Sequence, residues 1–206
     1  KKAPTPFTTS TLQQEAANAL NFSTQKTMRL AQQLYEGVEI KGSGTVGLIT
    51  YLRTDSTRIS DEADAAARTY IQEQYGAEYV AEKVETNNSG KKIQDAHEAI
   101  RPTDISRTPQ EVKDSLSRDQ FRLYQVIWKR FAVSRMTPAR YETITVKVGA
   151  GEYRFNVSTS RIAFEGFRSV YIDSNEEKEE TNAMAGKIEP GTELALQALD
   201  CKQHFT

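Results

Sequence analysis

Val46-Gly-Leu-Ile-Thr-Tyr-Leu-Arg-Thr-Asp-Ser-Thr-Arg58 is the stretch on which the reading of this chain turns. It opens as an apolar, β-branched run and then, with no polar spacer, crowds a phenol, a guanidinium, a carboxylate and four hydroxyls into nine residues. A core strand needs none of that chemistry, so the run predicts a strand whose end carries Tyr51 into a site. In an extended chain residues i and i+2 point to the same side, which puts Arg53 beside Tyr51. A phenol, with a reference pKa of about 10, is mostly protonated near neutral pH and needs a nearby cation or a base to become a nucleophile. Arg53 supplies the cation, and its planar fork can hold a phosphodiester through two parallel hydrogen bonds. Thr54, Asp55 and Ser56 are expected to fix the turn and orient the arginine.

Upstream of this run the pattern is helical. Ser10-Thr-Leu-Gln13 reads as a capping box, with Leu12, Ala16, Ala19 and Leu20 as an apolar stripe. After a break at Asn21-Phe-Ser23, a second helix puts Met28, Ala31, Leu34 and Tyr35 on its core face and ends at Gly37. Two short helices joined by a tight turn fit a helix-turn-helix, with Gln13, Lys26 or Arg29 toward DNA, and fit an ordinary helical hairpin equally well. Gly42-Ser-Gly-Thr-Val-Gly47 matches the G-x-G-x-x-G template but precedes a β-rich run instead of opening a helix, so it reads as a flexible approach to the Tyr51 strand.

Downstream, Ser60 caps a helix with Asp61 and Glu62 in its first turn and Ala63, Ala66, Ala67, Tyr70 and Ile71 as its stripe, up to Gly76. Residues 77–92 read as irregular. Asp95-Ala-His-Glu-Ala-Ile-Arg-Pro102 offers His97-Glu98, yet Arg101 occupies the fifth position of a zinc-type H-E-x-x-H, and the second of the two histidines, His204, is remote. An isolated histidine is more often structural than catalytic. Arg101 either binds phosphate or braces its loop through Asp104. Thr108-Pro-Gln-Glu111 and Ser117-Arg-Asp-Gln120 both start helices, the second running toward Met136 with Phe121, Tyr124, Ile127, Trp128 and Phe131 inward and Arg118, Arg122, Lys129 and Arg130 outward.

From Tyr141 the period changes to two. Tyr141–Val148, a Gly149-Ala-Gly151 turn and Tyr153–Val157 predict a hairpin, followed by strands at Phe167–Ile172 and near Glu193–Leu196, with Glu176–Glu180 as a solvated acidic loop. The fold class expected is therefore α+β: a mainly helical domain with helix-turn-helix-like features over 1–138, then an incomplete β-rich segment over 139–206.

The 206 residues carry 27 Lys+Arg against 28 Asp+Glu, so the chain is not globally basic, although its first part holds the small basic excess. One cysteine, Cys201, excludes an internal disulfide and suits a reducing, cytoplasmic setting. No apolar run reaches the length of a membrane span. The opening Lys1-Lys-Ala-Pro4 reads as linker from within a longer protein.

Three motifs, taken together, resemble one family. Pro6-Phe-Thr-Thr-Ser-Thr-Leu-Gln-Gln14, Leu48-Ile-Thr-Tyr-Leu-Arg-Thr-Asp-Ser56 and Ala96-His-Glu-Ala-Ile-Arg-Pro-Thr103 are similar to motifs of bacterial DNA topoisomerase I, of the type IA class, and come in that family's order. The related topoisomerase III typically has proline where Leu52 stands. The resemblance implies that Tyr51, with Arg53, cleaves and religates single-stranded DNA through a transient 5′-phosphotyrosine, relaxing negatively supercoiled DNA without ATP. It implies that Arg53, Asp55, His97 and Arg101 lie against DNA, which reverses the structural reading of His97. It implies too that Mg2+ binds a separate N-terminal domain, with no metal held here, and that the β-rich remainder belongs to an arch. On this reading the remaining domains of the same polypeptide are required for activity. The rival reading is a non-catalytic helix-turn-helix DNA-binding module, and a third is a scaffold fragment with no affinity for DNA.

Overall fold

The computed structural model describes residues 1–82, 97–171 and 189–198. Most of the irregular 77–92 stretch, the acidic Glu176–Glu180 run, Cys201 and His204 lie outside them. The fold is α+β, and the described residues divide into two compact units: 1–140 with 163–171, and 141–162 with 189–198. The sequence placed a single boundary at 138/139; in the structure the chain re-enters the first unit, because Phe167 and Val170 are buried in its core.

In the first unit, α1 (Thr9–Leu20) and α2 (Thr24–Glu36) are joined by Asn21-Phe22-Ser23, with Asn21 in the left-handed conformation that ends α1. The capping box of α1 uses Thr8 and Thr11, two residues before the pair expected at Ser10. Starting the helix there lets Thr9 reach the Tyr51 segment. β1 (Val38–Ile40) and β2 (Gly44–Val46) form a two-stranded antiparallel hairpin where a flexible approach was expected. Gly42, at φ 83°, lets its three-residue loop close.

α3 (Asp61–Tyr75) starts on Ser60 and stops at Gly76, as its caps predict. A 3-10 turn at Ala77–Tyr79 follows, and Val80 bridges Met136, so the beginning of the stretch read as irregular is ordered. α4 (Pro109–Val112) and α5 (Arg118–Val133) begin on the two predicted capping boxes. α5 is the centre of the unit, packing against α1, α2, α4 and the 3-10 turn Gly166–Val170. Its buried residues include Tyr124, Ile127, Trp128 and Phe131. Phe121, expected among them, is only half buried and sits beneath the Lys113 ammonium.

Two polar tips on α5 hold the loop that precedes α4. The Trp128 indole N–H donates to the Ile105 carbonyl at 2.9 Å and the Tyr124 hydroxyl to the Arg107 carbonyl at 2.7 Å. Burial pushes the Tyr124 phenol well above its ordinary range, so it stays a donor. The predicted strand at Phe167–Ile172 is a 3-10 turn over Gly166–Val170: its two buried apolar residues stand three apart, the period of that helix rather than of a strand.

The second unit carries the hairpin of β3 (Arg140–Ala150) and β4 (Tyr153–Phe164). Thr143 meets Ser160 at 2.8 Å, Thr145 meets Ser158 at 3.0 Å, and Arg161 donates to Glu142 at 2.6 Å, which fixes the register. The alternation then gives one face of hydroxyls and another of Ile144, Val146, Val148, Phe155 and Val157. The strand expected near Glu193–Leu196 is absent: these residues are exposed and take no regular structure, with no neighbouring strand to accept their hydrogen bonds among the described residues.

What positions the Tyr51 segment is a set of ties between distant parts of the first unit. The Thr9 amide donates to the Thr54 carbonyl at 2.9 Å, while the Thr9 hydroxyl donates to the Leu52 carbonyl at 2.8 Å and accepts from the Thr54 amide at 2.9 Å. Thr54 is buried, so its amide has no water to turn to. Thr9→Val, which keeps the shape and removes the hydroxyl, is expected to destabilise the fold by about 1–3 kcal/mol in chemical denaturation. Thr9→Ser is expected to retain most of that stability.

Candidate active site

Among the described residues the segment from Gly47 is paired as a strand only at the Ile49–Pro102 bridge, and it bends at Leu52 and Arg53, so the strand expected to end at Tyr51 is not a strand in the ladder sense. Proline has no N–H to give a longer ladder, and side-chain hydroxyls take over. The Thr50 amide donates to the Arg101 carbonyl at 2.9 Å, and the Thr103 amide to the Leu48 carbonyl at 3.0 Å. The Thr50 hydroxyl donates to the Ala99 carbonyl at 2.7 Å and accepts from the Arg101 amide at 3.0 Å, while the Thr103 hydroxyl donates to the Gly47 carbonyl at 2.8 Å.

Past this anchor the residues alternate. Leu52, Thr54 and Ser56 are buried; Tyr51, Arg53 and Asp55 are exposed on the opposite side. Tyr51 and Arg53, expected on one side from the sequence, are both exposed, and the chain bends at Leu52 and Arg53. The Thr54 hydroxyl accepts from the Ser56 amide at 3.0 Å and the Ser56 hydroxyl from the Arg58 amide at 3.2 Å. Three of the four hydroxyls that made this run look chemically rich, those of Thr50, Thr54 and Ser56, therefore secure backbone. Asp55 does not orient the arginine: among the described residues no ion pair or hydrogen bond joins it to Arg53, and the Arg53 guanidinium faces outward.

Tyr51 is 41% exposed and its ring is flanked by two others. The His97 ring is stacked with it at a centroid distance of 5.7 Å and 29° between planes, and Tyr35 meets it in a T-shaped contact at 5.5 Å and 67°. His97, isolated in sequence, is thus brought against the tyrosine.

The loop carrying His97 is held from several sides. The Ala99 amide donates to the Arg58 carbonyl and the Ile100 amide to the Phe7 carbonyl, both at 2.8 Å. Arg101 braces this loop, but through Glu98 and not Asp104: its guanidinium donates to Glu98 at 2.6 and 3.1 Å, to the Pro102 carbonyl at 2.9 Å and to the Ser60 hydroxyl at 3.4 Å. Asp104 instead sits 3.7 Å from Arg107. Partial burial raises the Glu98 pKa, yet the Arg101 charge and the hydrogen bonds from Arg101 and Ser60 outweigh it and hold the carboxyl below its ordinary range.

Of the residues considered for a helix-turn-helix, Lys26 is committed to Asp119 at 2.6 Å and lies 4.1 Å over the Phe22 ring; Arg29 is exposed and Gln13 half buried. Among the described residues no group of three or more His, Cys, Asp or Glu gathers to hold a metal ion, and no helix is long and apolar enough to cross a membrane. The residue the sequence reading missed is Tyr35, assigned there to the core face of α2. Thr27, Leu30, Ala31 and Leu34 already complete the buried stripe of that helix, and Tyr35 at its edge is 39% exposed.

The family model described as DNA topoisomerase matches residues 1–206. Among solved structures, full-length topoisomerase I from Thermotoga maritima superposes with a TM-score of 0.73 at 45% identity, over 86% of this chain and 28% of that one. This chain thus corresponds to little more than a quarter of the length of that enzyme. With the three motif segments folded together around Tyr51 and the family model matching from end to end, the chain belongs to the bacterial type IA DNA topoisomerases, of which it is a fragment.

Proposed function

We propose that this chain supplies the nucleophile of a topoisomerase that cuts and reseals one strand of DNA. The observation that carries this reading is the presentation of Tyr51: an exposed phenol two residues from the exposed Arg53, on a segment whose buried residues are tied down by hydrogen bonds. The phenolic oxygen attacks the phosphorus of a phosphodiester in single-stranded DNA. A bond forms from tyrosine to the 5′ phosphate, the bond to the 3′ oxygen breaks, and that oxygen leaves as a 3′ hydroxyl after taking up a proton. Attack by the same hydroxyl reverses the step and reseals the strand, so the bond energy is kept and no nucleotide is consumed. Passage of another strand through the gap relaxes negative supercoils.

Arg53 donates to the non-bridging oxygens as negative charge builds on them. His97, stacked on the tyrosine ring, is placed to donate to the same phosphate. Asp55 shares the exposed side, where a carboxylate suits donor groups on base edges better than phosphate. Arg101 acts on DNA through the loop it braces, since its donors are already engaged by Glu98, Pro102 and Ser60. Magnesium, in this reading, is bound by residues outside this chain, and no step above runs through it. The other domains of the polypeptide complete the site, the β3–β4 unit contributes to the arch, and the enzyme works in the bacterial cytoplasm.

The test is covalent capture. Full-length protein is incubated with labelled single-stranded DNA and magnesium, denatured, and examined for label on protein. Label is expected, and Tyr51→Phe is expected to abolish it; label persisting in Tyr51→Phe sinks the assignment. Arg53→Ala is expected to slow adduct formation by about 10²-fold, the effect of removing a donor to developing charge. DNA binding without label in the wild type supports the helix-turn-helix module instead.

A second prediction concerns pH. The Glu98 carboxyl is held below its ordinary value when folded, so its contribution to stability is fully present above the unfolded carboxylate range and is lost as pH falls through the lowered value. Thermal unfolding of wild type and Glu98→Gln is expected to differ near neutral pH and to converge in acid.

A further inference from the structure

We propose that Tyr35 is a positioning residue for the nucleophile: its ring fixes the orientation in which Tyr51 meets the scissile phosphate. The inference rests on the reading of Tyr51 as the nucleophile. In-line attack at phosphorus requires the reacting oxygen to be held within a narrow range of position, yet the Tyr51 side chain makes no hydrogen bond or ion pair among the described residues. Its backbone neighbours Leu52 and Thr54 are buried on the other side of the segment and do not confine its ring. What the described structure sets against that ring is His97 stacked on it and Tyr35 in T-shaped contact, at 5.7 and 5.5 Å.

Tyr35 is fixed to the Tyr51 segment through the end of α2. It stands on the last turn of α2, next to the fully buried Leu34, whose carbonyl accepts from the Leu48 amide at 2.8 Å. The Tyr35 carbonyl packs so closely on Gly47 that a Cβ there would lie 2.7 Å from it, which fits only glycine without a backbone shift. Gly37, at φ 125°, ends α2 immediately beyond and turns the chain into β1. Two fixed points thus register the last turn of α2 against residues 47–48, three and four positions before Tyr51. A ring projecting from that turn is a fixed stop for a side chain that no hydrogen bond or ion pair anchors among the described residues. Such edge-to-face contacts depend on the ring and not on its hydroxyl.

The experiment uses the full-length protein with Tyr35→Leu and Tyr35→Phe. Tyr35→Leu is expected to slow single-turnover adduct formation about two- to tenfold, the range one ring contact controls, with DNA affinity unchanged in a Tyr51→Phe background. Tyr35→Phe is expected to restore the wild-type rate. An unaltered rate in Tyr35→Leu overturns the proposal, and so does an equal loss in Tyr35→Phe. A parallel fall in DNA affinity overturns it too, by making Tyr35 a stacking platform for an unpaired base.

A second readout is independent of chemistry. With 3-fluorotyrosine placed at position 51 of DNA-free protein, one sharp fluorine resonance is expected in wild type and Tyr35→Phe, and a split or shifted, broadened one in Tyr35→Leu. The same sharp resonance in all three overturns the positioning role. If the wild type forms no adduct, the nucleophile assignment fails by itself, and the fluorine spectra still decide whether Tyr35 confines the Tyr51 ring.

Discussion

The grip of Thr9 on residues 52–54 is the interaction on which the candidate site depends. One amide and one hydroxyl at the start of α1 satisfy two carbonyls and an amide of the Tyr51 segment. They also use a helix N-terminal N–H that has no partner within its own helix. Among the described residues the segment has no second strand beside it at this point, so without Thr9 the buried Thr54 backbone would lose the partner seen there. Because the tie is on the buried side, the opposite side is free to present Tyr51, Arg53 and Asp55.

The same logic extends to the other two segments. Residues near Phe7, Ile49 and Ile100 each add a single bridge or a few hydrogen bonds, and none forms an extended ladder with another. A three-way junction of this kind needs rigid supports, and α5 provides one. The Arg130 guanidinium donates to the Thr5 carbonyl at 2.8 Å and lies 4.5 Å over the Phe7 ring, while Trp128 and Tyr124 hold the loop that follows Arg101. Arg101 itself is 11% exposed and paired with Glu98, so a charged side chain next to the site serves to hold the loop of His97 in place. This division of labour separates the residues offered to a phosphate from those that keep them in register.

Much of the helical framework was legible because its signals are local. Ser60, Thr108 and Ser117 cap their helices where the sequence placed them, and Gly37 and Gly76 stop α2 and α3. The alternation of exposed and buried residues over 51–56 follows period two. The misreadings arose where the deciding contact, near or distant in sequence, is set by the fold and not by a local period. Phe167 alternated like a strand but is drawn into the helical core as a 3-10 turn, with its amide on the Thr137 carbonyl. The hydroxyls of Thr50, Thr54 and Ser56 looked like site chemistry, and only the contacts show that they bind backbone. Arg101 was expected to bind phosphate or to brace its loop through Asp104, and it braces the loop through Glu98 instead. Tyr35 was placed in the core because helical spacing puts it next to Leu34, whereas the buried stripe ends one residue earlier.

The sequence by itself determined the starts of α3, α4 and α5 at their caps and the family through three ordered motifs, since each depends on residues a few positions apart. Only the tertiary structure decided that His97 and Tyr35 flank Tyr51, that Thr9 carries the segment, and that Arg101 is a brace. Those facts follow from hydrogen bonds and ring contacts that close loops of tens of residues. Which of the available donors and acceptors meet is settled by how the helices pack around α5, and no local period encodes it.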